Sequence, residues 1–284
     1  MATIETTLGT VEYEARGPVD SDKPPVLFIH GALVDAQLWR APADLLVAQG
    51  FRCYLPTLPL GSHRIPMKPD AELSPTTIAG LIHELIVGLE LDDVTLVGND
   101  TGGALCQFTI DAHPDRIGRL VLTNCDAFHT FPPFPFDVIF KLLKLPGVLK
   151  PSMKLMKFRA LRHSPLGFGL LANDPDPDPT ASWVAPAQES AGIRRDIIRL
   201  FANIRPTELD AVTRRLGSFD KPVTLVWGMA DKSFKPELGR RLAAQFPNAT
   251  FTEVPGARTF VSLDNPDAVA DAVVQISAPA SSST

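Results

Sequence analysis

The chain has 284 residues, 45% of them apolar and 21% charged, with 27 basic and 32 acidic side chains and a net charge of −5. That length suits one large domain, or one domain carrying a sub-domain. The composition excludes global disorder, and the acidic balance argues against nucleic acid as a partner.

In chain order, Thr3–Thr7 and Val11–Ala15 alternate around Gly9 and predict a hairpin. Pro25–His30 is a continuous apolar run, as expected of a strand buried on both faces. Gln37–Gln49 is helical, with Gly50 as its C-terminal cap, and Phe51–Leu55 is a strand stopped by Pro56. Ser74 opens a helix that runs through Leu89, with Ile78, Leu81, Ile82, Leu85 and Leu89 on one face. Val94–Val97 and Ile117–Thr123 are strands on either side of the helix Gly103–His113. Val223–Trp227 and Thr250–Val254 are two more, separated by the helix Pro236–Phe246 and followed by the helix Ala268–Ile276. Alternating strands and helices imply a mostly parallel sheet with helices on both faces.

The pattern is interrupted over 128–219, which is rich in proline, phenylalanine and basic residues. Within it, Ile193–Ile204 and Glu208–Leu216 are helical, and Asp174–Pro179 reads as a stiff surface loop. An insertion at the C-terminal edge of a parallel sheet lies where active sites form, so this segment is expected to be a helical cap. The expected division is a core over 1–127 and 220–276, the cap over 128–219 and a disordered tail over 277–284. No acid lies between Asp137 and Asp174, yet Lys141, Lys144, Lys150, Lys154, Lys157, Arg159 and Arg162 do. Three meanings stay open: a solvated basic face, attraction of an anionic substrate, or weak docking on an acidic membrane surface.

No secretory signal or integral membrane segment is expected, since Met1–Gly9 lacks the signal pattern and no apolar run approaches about 18 residues. Cys53, Cys106 and Cys125 sit in apolar surroundings and read as buried thiols of a cytoplasmic protein. No metal-ligand spacing is present and no cofactor is called for. The expected partner is a small-molecule substrate.

The strongest local signal is Val94-Thr95-Leu96-Val97-Gly98-Asn99-Asp100-Thr101-Gly102-Gly103. A buried strand runs into small-x-Asp-x-small-small and then a helix: a nucleophile elbow with aspartate in place of the more usual serine. Side chains at 98 and 102 would clash with neighbouring chains, and the helix N-terminus is expected to keep the Asp100 carboxylate ionised. The other meaning of the motif is a structural turn with Asp100 as N-cap.

With Phe28-Ile29-His30-Gly31-Ala32 at the end of an earlier strand, and Trp39 beyond it, the chain from Thr3 to Ile276 resembles the α/β-hydrolase fold. It is similar to the Asp-elbow branch, which includes haloalkane dehalogenases and epoxide hydrolases. The resemblance implies an eight-stranded, mostly parallel sheet with a cap inserted after the sixth strand. It implies that the amides of Ala32 and Thr101 form an oxyanion hole, with His30 and Trp39 on the same oxyanion and substrate-binding side. In Val226-Trp227-Gly228-Met229-Ala230-Asp231 it assigns Asp231 as the acid that orients a catalytic histidine, with Asp126 as a second place for that acid.

The family pattern then breaks. Thr259, in Pro255-Gly256-Ala257-Arg258-Thr259-Phe260, occupies the histidine position, and threonine is no general base near neutrality. Of the six histidines, His129, close to Asp126, is the best spare base. Thr101 and Ala32 stand where haloalkane dehalogenases hold the halide, and both tyrosines, Tyr13 and Tyr54, lie outside the cap, where epoxide hydrolases need theirs. The chain is therefore expected to be a hydrolase of a small, largely apolar substrate that uses Asp100 with an atypical or missing base. The alternatives are a lyase or isomerase with Asp100 as general acid/base, or a ligand-binding protein without turnover.

Overall fold

The computed structural model describes residues 1–278. The chain runs β1 (Ala2–Glu5), β2 (Thr10–Arg16), β3 (Val26–Ile29), α1 (Arg40–Ala48), β4 (Cys53–Thr57), α2 (Pro75–Gly88), β5 (Val94–Asp100), α3 (Thr101–Ala112) and β6 (Ile117–Cys125). Six helices follow before the next strand: α4 (Phe136–Leu143), α5 (Leu149–Leu155), α6 (Arg159–Arg162), α7 (Pro177–Glu189), α8 (Ala191–Asn203) and α9 (Pro206–Thr213). The chain closes with β7 (Val223–Gly228), α10 (Pro236–Ala243), β8 (Ala249–Val254), α11 (Val261–Asp264) and α12 (Pro266–Ser277). Of the tail expected over 277–284, Ser277 ends α12 and residues 279–284 lie outside the described range.

The eight strands form one sheet in the order β1-β2-β4-β3-β5-β6-β7-β8. Only the β1–β2 and β2–β4 pairs are antiparallel; the remaining pairs are parallel, as the sequence predicts. Strand alternation divides the core. Leu27 and Ile29 of β3 join one hydrophobic cluster with α2 and α3, whereas Val26 and Phe28 join another with α1 and α12. Every side chain of β3 is buried, which is why its sequence is a continuous apolar run.

Three local expectations are corrected, each by proline. Pro56 does not stop its strand: β4 continues to Thr57, and Pro56 lies past the two residues paired with β3, where its missing N–H costs no ladder bond. The helix expected from Gln37 divides into a 3₁₀ turn (Ala36–Trp39) and α1, with Pro42 in the first turn of α1. Asp174–Pro179 is a helix start as well as a loop. Asp176 caps α7 by accepting from the Asp178 amide at 2.9 Å, and Pro177 supplies the pre-set first helical residue.

One buried carboxylate fastens the inserted helices to the sheet. Asp196 of α8 is fully buried. It accepts from the Met67 amide at 2.9 Å and from Arg195 Nε at 2.9 Å, and meets His63 Nε2 at 3.2 Å. His63 is thereby a structural link between the segment after β4 and α8. We expect Asp196→Ala to destabilise the fold by about 2–4 kcal/mol in urea unfolding, because it leaves His63 and the Met67 amide buried without a partner.

Candidate active site

Asp100 ends β5 with φ 53° and ψ −131°, a conformation that turns the chain directly into α3. The turn needs close backbone approach. A Cβ at Gly98 would lie 2.6 Å from Cys106 Sγ and 2.9 Å from Gly103 Cα, and one at Gly102 would strike the carbonyl oxygens of Ile29 and His30. The amides of Thr101 and Ala32 both point at the Asp100 carboxyl. Two donors and a carboxyl thus converge where β3 and β5 end.

The Asp100 carboxyl faces a cavity of about 370 Å³ roofed by the helices inserted between β6 and β7. Ala32, Leu33, Asp100 and Thr101 form its floor, and Phe136, Phe140, Met153 and Phe168 stand among its walls. Asp100 is the one titratable side chain lining it among the described residues. The expectation that the α3 N-terminus keeps Asp100 ionised is corrected. Burial pushes its carboxyl up from 3.8 to about 7, the neighbouring Asp231 adds to the rise, and the two amides only partly oppose it.

Asp231, after β7, is held by four donors. Its Oδ1 accepts from the Ser233 amide at 2.7 Å and the Phe234 amide at 3.1 Å; its Oδ2 accepts from Asn124 Nδ2 and from the Thr259 hydroxyl, both at 2.8 Å. Burial still raises it to about 6, against those hydrogen bonds. Thr259 is fully buried, and its carbonyl accepts from Asn99 Nδ2 at 2.7 Å, so the residue before Asp100 positions the residue beside Asp231. Asp126 is also fully buried, and neither of its carboxyl oxygens has a hydrogen-bond partner. Its carboxyl is pushed well above the ordinary range, first by burial and then by Asp100, while the Thr101 hydroxyl opposes the shift. Its amide approaches the Asp100 carbonyl at 3.4 Å.

Five residues assigned from sequence do not line the cavity: Asp231 and Thr259, which bond each other, and His129, Trp39 and His30. His129 lies on the surface, 65% exposed, 3.4 Å from Asp210, and lines a separate groove. It is therefore no spare base for Asp100. Trp39 is fully buried against Phe28, with ring centroids 5.2 Å apart, so it packs in the core instead of touching a substrate. His30 holds backbone: its Nδ1 bonds Gly31 O at 2.8 Å and its Nε2 accepts from the Leu58 amide at 2.9 Å. Burial lowers it to about 4, which keeps the ring neutral in this role. The remaining histidines are also engaged elsewhere, His163 with Thr180 at 2.9 Å and His83 stacked on His113. None of the cations on the inserted helices lines the cavity, so an anionic substrate finds no counter-charge there. Among the described residues no cluster of His, Cys, Asp and Glu could hold a metal ion. The unpartnered state of the Asp126 carboxyl is the feature that sequence missed. Asp126 was visible as a candidate, but its isolation depends on tertiary packing.

Residues 26–272 match the profile of the alpha/beta hydrolase family. Haloalkane dehalogenase 2 of Mycobacterium tuberculosis (strain ATCC 25618 / H37Rv) is 26% identical over 284 residues, covering 96% of this chain and 93% of its own length. A 2-hydroxy-6-oxononadienedioate/2-hydroxy-6-oxononatrienedioate hydrolase of Cupriavidus pinatubonensis is 27% identical over 236 residues, 79% of this chain and 76% of that protein. The solved haloalkane dehalogenase DbeA from Bradyrhizobium elkani shares the fold with a TM-score of 0.76 at 20% identity, over 97% of this chain and 98% of that one. An alpha/beta hydrolase fold protein from Burkholderia ambifaria does so with 0.75 at 23% identity, over 96% and 97%.

A carboxyl whose folded pKa is raised stabilises the fold below its unfolded pKa, and that contribution is lost as pH rises through the folded value. For Asp100 the window is about pH 4 to 7. Asp100→Asn removes this dependence. We expect the variant to gain on the order of 2 kcal/mol over the parent at pH 8 and nothing at pH 4, read from thermal melts at the two pH values.

Proposed function

The chain belongs to the alpha/beta hydrolase family, and we propose that it is a hydrolase of small, largely apolar substrates with Asp100 as its nucleophile. The observation that carries this is the Asp100 carboxyl on the floor of an apolar cavity, with the amides of Ala32 and Thr101 turned on it. One carboxylate oxygen attacks a substrate carbon, the displaced group leaves with the bonding electrons, and an ester on Asp100 results. The two amides then face the charge that develops when water adds to the ester carbonyl. The 128–219 segment acts as the cap that keeps bulk water from the site. Relatives named haloalkane dehalogenases support a substrate carbon bearing a leaving group. Thr101 and Ala32 offer no indole or amide side chain to hold a halide, so other leaving groups belong to the same proposal.

The second step lacks its base. The Thr259 hydroxyl, bonded to Asp231, stands where an imidazole would take a proton from water. A hydroxyl does not accept that proton near neutrality, so the ester outlives its formation. Incubation with alkyl halides, epoxides and esters, followed by intact-mass analysis, should show an adduct on Asp100. Asp100→Asn should abolish it, and Thr259→His should speed its release by at least about tenfold. Adduct formation should rise with pH and level off above about 7, because only ionised Asp100 attacks. Substrate hydrolysis that survives undiminished in Asp100→Asn sinks the proposal.

One observation favours a second reading. A carboxyl with a pKa of about 7, alone among titratable groups in the cavity, also suits general acid/base work in a lyase or isomerase. That reaction would exchange substrate protons with deuterated solvent and leave no adduct.

A further inference from the structure

We propose that the outer face of the inserted helices α4 to α6 is a docking surface for an anionic lipid bilayer. Most of the large apolar side chains exposed among the described residues fall between 134 and 166. Phe134 is 77% exposed and Leu166 70%, while Leu142, Leu145, Leu155 and Phe158 are each about half exposed. Such a density is unusual for a surface in water and marks a contact face. Lys141, Lys150, Lys154, Lys157 and Arg159 are exposed among them, and no acid lies between Asp137 and Asp174. Arg162 is the exception: it is buried and bonds the carbonyls of Met156, Lys157 and Pro177.

The exposed leucines are gathered at one place. Leu142, Leu155, Leu161 and Leu166 are both exposed and part of the lining of the Asp100 cavity, so they ring its mouth. The neighbouring groove, lined by Lys141, Lys144, Lys232 and Lys235, extends the positive charge. Leucine and phenylalanine interleaved with lysine is the chemistry of an interfacial surface. The apolar side chains enter the headgroup–acyl boundary, and the lysine stems keep their ammonium groups at the phosphates. The rest of the chain is acid-rich, so an anionic surface attracts this face and repels the others. Self-association argues poorly here, because a two-fold interface through this face would oppose like charges. Docked this way, the cavity mouth opens toward the acyl layer, and an apolar substrate reaches Asp100 without crossing water. That last consequence rests on the proposed hydrolase function; the docking itself does not.

The test is sedimentation of the full chain with phosphatidylcholine vesicles, with and without phosphatidylglycerol, in the absence of substrate. Binding is expected only to the anionic vesicles and is expected to weaken at high salt. Lys150→Ala with Lys154→Ala should lower partitioning roughly 25-fold, about fivefold for each cation removed. Leu145→Ser with Phe158→Ser should lower it by about tenfold or more while leaving the melting temperature unchanged, since neither residue touches the cavity. Equal binding to neutral and anionic vesicles overturns the proposal, as does no binding to either. A dimer that light scattering detects and the Leu145/Phe158 pair dissolves assigns the face to a second copy and also overturns it. An Asp100 adduct without vesicle binding would refute the docking alone, and vesicle binding without an adduct would refute the hydrolase reading alone.

Discussion

Asp100 is held at φ 53° and ψ −131°, where an L-residue pays on the order of 1–3 kcal/mol in backbone strain. The remainder of the site follows from how the fold enforces that angle. β5 lies between β3 and β6, and its ladder to β6 shifts register between Gly98 and Asp100. α3 comes so close behind the turn that a Cβ at Gly102 has no room beside the β3 carbonyls. The chain therefore reverses sharply at Asp100 and aims its carboxyl out of the sheet. The same closeness sets the Thr101 amide on one side of that carboxyl and the Ala32 amide, from the end of β3, on the other.

Three carboxyls are crowded around this turn, and they differ in what surrounds them. Asp231 has four donors and rises only to about 6. Asp100 has two amides and reaches about 7. Asp126, whose carboxyl oxygens find no hydrogen-bond partner, is pushed well above the ordinary range by burial and by Asp100. Desolvation raises all three, neighbouring carboxyls add to the rise at Asp100 and Asp126, and each hydrogen-bond donor opposes it. No cation lines the cavity to offset them. Asp100 therefore changes charge near neutrality, inside a cavity whose other lining side chains are uncharged.

What was legible in the sequence is what depends on short-range geometry. The elbow, the alternation of strands and helices and the Asp231 turn each occupy a few consecutive residues whose small side chains or apolar runs have one steric purpose. The long-range questions were not legible. His129 is near Asp126 in the chain, yet its ring turns outward to Asp210. Trp39 follows the oxyanion turn, yet a full turn of 3₁₀ helix carries it into the core against Phe28. In Asp174–Pro179 the prolines signal a loop by their missing N–H, yet the first turn of a helix has no use for that N–H. Composition cannot distinguish the two cases; the Asp176 side chain capping the Asp178 amide does.

Thr259 is the point at which geometry and chemistry part. Its hydroxyl donates to Asp231 Oδ2 at 2.8 Å, the bond an imidazole N–H would otherwise make, and Asn99 fixes its carbonyl from beside Asp100. Asn124 supports Asp231 as well, through Nδ2 at 2.8 Å, and its Oδ1 accepts from the Gly228 amide at 2.6 Å. Asn99, Asn124, Thr259 and Asp231 are thus joined in one buried hydrogen-bond network. A threonine satisfies the acid's hydrogen bond, so burial of Asp231 remains tolerable and the fold is not compromised. It contributes no charge, however, and no cation lines the cavity to offset Asp100 as it ionises. Burial therefore raises the carboxyl pKa values with no cation lining the cavity to oppose it. On the proposed hydrolase reading, such a site attacks a substrate once Asp100 ionises but lacks the base that would make turnover rapid.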